Sequence, residues 1–164
     1  MKKMFFMLML ACAGYLPLQA DSVWAANLKT QNLDAVQSFF QDVLVKNREG
    51  ISITEKYVAG MPKASDMTSK EKGERLAFSL YISHAEHFES IMQLGFVVYL
   101  ATQIETDDSF GMAAASFVRL TVGKLESIKG ELELVPRVCN ELAASIQITL
   151  REVERSIEFF EKLY

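Results

Sequence analysis

Apolar residues recur along this chain at intervals of three and four rather than two, the period of helices that each bury one face. Leu33, Val36, Phe40 and Val43, with Phe39 and Leu44 beside them, predict an amphipathic helix over about 32–47, with Asn32 as N-cap and Gly50 beyond its end. From 51 to 58 the pattern is ambiguous. Ile51, Ile53 and Glu55 alternate as in a strand, while Tyr57 and Val58 suit a short helix. A lone strand has no partner here, so the short helix is preferred. Gly60 to Asp66 is a loop by composition. Thr68 then stands three residues before Glu71, the capping-box spacing in which side chain and backbone satisfy each other.

The helical pattern runs from there to about Glu105, with a bend expected near Gly95. Within it Leu94 to Ala101 is apolar on every side, which fits either the central helix of a bundle or a buried strand, and continuity with the upstream pattern favours the helix. Asp107, Asp108 and Ser109 offer caps for a third helix over about 109–129, with Phe110, Ala114, Phe117, Leu120 and Ile128 inward and Gly130 at its end. Pro136 suits the first turn of a last helix. There Cys139, Ala143, Ile146, Leu150, Val153, Ile157, Phe160 and Tyr164 form a heptad seam. Long helices joined by short loops predict an all-α fold, an antiparallel helical bundle of about four main helices plus a short one. The 139–164 seam serves either packing inside that bundle, the preferred reading, or a homodimer.

The ends of the chain change this picture. Lys2 and Lys3 precede an apolar run from Met4 to Leu18, and small residues follow at Ala20, Ala25 and Ala26, the order of a secretory signal peptide. Cleavage is expected after residue 20, or as late as 26, leaving a single helical domain over 27–164. A permanent anchor needs about 18–20 apolar residues, more than this stretch has, so no stable membrane span is expected. An alternative is a lipoprotein acylated at Cys12, although the apolar run continues past that residue. The expected location is periplasmic or secreted. Removing the first 20 residues takes away Cys12, which leaves Cys139 alone and rules out an intrachain disulfide. It also takes away Lys2 and Lys3, making the remainder two charges more acidic than the full chain's −4. An acidic domain with no basic cluster is a poor nucleic-acid binder.

Candidate chemistry is sparse. His84 and His87 are the chain's two histidines, three residues apart on one helical face. With Tyr81 and Tyr99 they are the candidates for a haem, metal or small-molecule site between helices. Glu-x-x-His, His-Glu-x-x-His and Cys-x-x-Cys-His patterns are absent, so the preferred reading of His84 is a core histidine satisfied by a hydroxyl or carbonyl, with Ser79, Tyr81 and Ser83 nearby. Cys139 lies on a seam without an oxyanion-binding turn, and no Gly-x-Ser-x-Gly elbow occurs. Glu105, Asp107 and Asp108 form an acidic cluster read first as helix capping and second as a contact surface for a basic partner. No cofactor and no enzymatic activity are expected. The expected function is binding another protein, as an inhibitor or immunity protein against a toxic hydrolase or as a secretion-system accessory. The alternative is a small-molecule, haem or metal binder.

Overall fold

The computed structural model describes residues 32–104 and 108–162. The expected signal peptide with its cleavage sites, Cys12, Glu105, Asp107 and Tyr164 lie outside the described residues. Every described element is a helix: α1 (Leu33–Ala59), α2 (Ser69–Ile104), α3 (Asp108–Leu134) and α4 (Asn140–Lys162).

Local chemistry sets the helix ends. The Asn32 side chain accepts a hydrogen bond from Asp34 N at 2.9 Å, and Gly60 N donates back to Tyr57 O at 3.0 Å. Thr68 and Glu71 form the expected capping box: Thr68 N and Oγ1 each donate to Glu71 Oε2 at 2.7 Å, and Glu71 N donates to Thr68 Oγ1 at 3.3 Å. Cys139 caps α4, its sulfur accepting from Leu142 N at 3.4 Å and its carbonyl from Ala143 N at 3.0 Å.

Three boundaries differ from expectation. Gly50 does not end the first helix, and the stretch 51–58 is neither a strand nor a separate short helix but the continuation of α1. The bundle therefore has four helices among the described residues. An interior glycine costs a helix about 1 kcal/mol relative to alanine, but here it admits a neighbour. A Cβ on Gly50 would lie 2.5 Å from the Tyr81 hydroxyl and 3.2 Å from the Ser145 carbonyl oxygen. Gly130 likewise lies inside α3, with no positive φ to terminate it. Pro136 sits in the connection before α4, where Val138 N donates to its carbonyl at 3.0 Å, rather than in the first helical turn.

The core gathers from all four helices and includes Phe40, Phe78, Tyr81, Phe88, Met92, Leu125, Ile128, Ile146 and Phe160. Each such side chain contributes on the order of 1.5–3 kcal/mol by leaving water. Between α1 and α2, packed pairs run from Phe40–Phe96 through Asn47–Ala85 to Tyr57–Phe78, one number rising as the other falls. Phe39–Phe159, Asp42–Arg155 and Asn47–Thr149 do the same between α1 and α4. Gly95 lets Phe160 close one end of the core, since a Cβ there would lie 2.9 Å from the ring. The α4 seam is used inside the chain, with Ile146, Leu150, Val153 and Phe160 all buried.

A polar network crosses this apolar interior. Asn47 Nδ2 donates to Ala85 O at 2.9 Å, and the Thr149 hydroxyl donates to Asn47 Oδ1 at 3.0 Å. With its only proton committed, Thr149 accepts at 2.9 Å from Tyr81, whose hydroxyl must be the donor. Ion pairs bridge neighbouring helices at Arg48–Glu89 (2.6 Å), Arg155–Asp42 (3.0 Å) and Lys129–Glu154 (2.8 Å), and His84 Nδ1 lies 3.0 Å from Glu131 Oε2. Lys46 and Arg155 together hold the Asp42 carboxyl below its ordinary range.

Candidate functional site

The outward face of α2 departs from what a surface helix normally presents. Leu76, Leu80, Ser83, His87, Ser90, Leu94, Val97 and Ala101 follow one another at spacings of four and three. Leu76, Leu80 and Val97 are 62%, 41% and 54% exposed. Ser83, His87 and Ser90 are also exposed, while Leu94 and Ala101 are half-buried. From Gly73 to Ala101, none of the residues within about 60° of this line on either side carries a charge, at 3.6 residues per turn. The face is therefore about 40 Å long at 1.5 Å per residue. Exposed leucine and valine thus stand toward its two ends, with the polar Ser83, His87 and Ser90 between them, where a bundle helix ordinarily also carries charged residues.

Beside it, α3 presents Leu120, Lys124, Ser127, Glu131 and Leu134 at the same kind of spacing. Leu120 is 46% exposed and Leu134 is 83% exposed. The sequence reading had Leu120 inward. In fact Ala114, Val118, Leu125 and Ile128 fill the interior, and Leu120 falls on the opposite side of α3. Leu80, next to the core residue Tyr81 in sequence, also lies on the exposed face.

The histidine and tyrosine candidates do not converge. His84 Nδ1 meets Glu131 Oε2 across the α2–α3 seam, and Ser127 Oγ donates to Glu131 Oε1 at 3.2 Å. Its partner is thus a carboxylate on the next helix, not the expected hydroxyl or carbonyl. Ser79 donates instead to Arg75 O at 3.0 Å, and Tyr81 is committed to Thr149. His87, one helical turn on from His84, is exposed on the outward face. Tyr99 is buried and its hydroxyl has no hydrogen-bond partner among the described residues. Four candidates on one helix thus look toward α4, toward α3, toward solvent and into a separate part of the core. No group of three or more histidine, cysteine, aspartate or glutamate side chains is placed to hold a metal ion among the described residues. Of the acidic cluster, Asp108 is the first residue of α3.

Cys139 caps α4 and is half-buried against the core, beside Tyr57, whose phenol it pushes up in pKa. No described helix is long and apolar enough to cross a membrane. No protein family, curated protein or solved structure matches the chain.

Proposed function

We propose that this protein is an exported antiparallel helical bundle that binds another protein, with the uncharged outward face of α2 as its contact surface. The observation that carries this reading is the absence of charge from Gly73 to Ala101 on a face where Leu76, Leu80 and Val97 are exposed. Leaving such a face in water costs solubility, and covering it with a partner recovers the hydrophobic contribution. The apolar run after Lys2 and Lys3 supports export. The opposed numbering of the packed pairs along α1–α2 and α1–α4 supports the antiparallel arrangement.

An inhibitor of a toxic hydrolase, in the manner of an immunity protein, and a secretion-system accessory are the concrete forms this role takes. The chain's net negative charge would favour encounter with a basic partner, while the neutral face supplies the contact. The test is expression of the full chain with a C-terminal tag in a Gram-negative host. The expected result is a periplasmic product beginning near Asp21, which co-purifies a defined protein that the Leu80→Glu variant fails to retain. A cytoplasmic product with an intact N-terminus, or equal retention by both proteins, would count against the proposal.

A further inference from the structure

Resting on the reading of the α2 face as an interaction surface, we infer that its occupant in the free protein, before any other partner displaces it, is a second copy of this chain. The two α2 helices lie head to tail about a two-fold axis near residues 88 and 89. The first support is self-complementarity. Read against its own reverse, the seam sets Leu80 opposite Val97 of the second copy, Ser83 opposite Leu94 and His87 opposite Ser90. Leu80 and Val97 thus make an apolar contact, and Leu94 and His87 each meet a serine. The seam holds no charge, so two acidic chains meet there without like-charge contact.

The second support comes from α3, which had no part in choosing that register. The His84–Glu131 contact fixes the level of α3 against α2. Counting from it, Leu120 stands near position 95 of α2 and Leu134 near position 81. The two-fold axis brings those levels together, so Leu120 of each copy faces Leu134 of the other. These are the exposed leucines of α3. The same operation brings Lys124 within about two residues, roughly 3 Å along the axis, of Glu131 in the second copy. Lys124 makes no ion pair among the described residues, and the Glu131 side chain is 44% exposed. Two hydrophobic contacts and two charge pairs therefore follow from the α2 register and the His84–Glu131 level taken together. The α2 stripe of about 40 Å and the α3 stripe of about 21 Å, each about 10 Å wide, make a face of roughly 600 Å², somewhat below the ~800 Å² per partner of a standard interface.

The decisive measurement is the mass of the exported protein in solution, by light scattering or sedimentation. Wild type should be a dimer. Leu80→Glu should be monomeric with unchanged helical circular dichroism, while Val45→Glu, at an exposed position on α1, should remain dimeric. Lys124→Glu and Glu131→Lys should each weaken the dimer, and their combination should restore it. In a Cys139→Ser background, Leu120→Cys with Leu134→Cys should form a disulfide-linked dimer on mild oxidation. A monomeric wild type at tens of micromolar, a dimer that survives Leu80→Glu, or a charge swap that restores nothing would each overturn the inference. A monomeric wild type that still loses a co-purified protein on Leu80→Glu overturns the second copy alone and leaves the proposed binding face standing.

Discussion

Gly50 and Gly130 are the same residue type in the interiors of two helices, and their surroundings give substitutions at them opposite signs. Alanine at Gly130 meets nothing within 4 Å, so it should gain helix propensity and stabilise the protein by about 0.5–1 kcal/mol. At Gly50 the new methyl would stand 2.5 Å from the Tyr81 hydroxyl, which is fully buried and hydrogen-bonded to Thr149. Gly50→Ala should therefore destabilise by about 1–3 kcal/mol, the usual cost of overpacking. Urea denaturation of the two variants checks both signs, and a stabilised Gly50→Ala would sink the account of why that glycine is there. Sequence reading treated both glycines as helix ends because glycine weakens a helix wherever it stands. What distinguishes Gly50 is a tyrosine 31 residues away, which no local pattern reveals.

At the scale of elements, local signals were legible where the chemistry is local. Thr68 and Glu71 announce the start of α2 by their spacing, and the structure closes the full capping box. Thr68→Ala should cost about 0.5–2 kcal/mol, the usual range for a lost N-cap. The pH dependence has a definite sign. Hydrogen bonds from the Thr68 side chain and backbone hold the Glu71 carboxyl below its ordinary range. Its contribution is therefore complete above the ordinary glutamate pKa and is lost as pH falls through the depressed one. Thermal denaturation across the acid limb should show a shallower decline in Thr68→Ala than in wild type, and parallel limbs would refute the link. The faces of α2 were harder to read. Leu94 to Ala101 is apolar all round because it serves the core on one side and the outward seam on the other. Periodicity detects one buried stripe, and Leu80, close to the core residues Ala77 and Tyr81, carries no local sign that it faces outward. The seam of α4 was plain because charged residues border it.

In the whole molecule the four helices are not held alike. Asn47, Tyr81 and Thr149 tie α1, α2 and α4 through a buried polar chain, while α3 packs through apolar residues and through pairs such as His84–Glu131 and Lys129–Glu154. The polar chain has an alkaline limit. Burial pushes the Tyr81 phenol up to about 12. Because this folded value lies above the ordinary one near 10, the resulting stability is intact below about pH 10 and is lost as pH climbs toward about 12. Ionised Tyr81 would also lose the proton it donates to Thr149, whose own proton is committed to Asn47, so the break spreads to both partners. Tyr81→Phe should begin less stable at neutral pH, because Thr149 loses its donor, yet it should lose less further stability between about pH 10 and 12. Urea denaturation of both proteins across that range measures the difference in slope. An equal alkaline decline in the two would place the sensitivity elsewhere and leave the Asn47–Thr149–Tyr81 chain as packing rather than as the tie that joins α2 to α1 and α4.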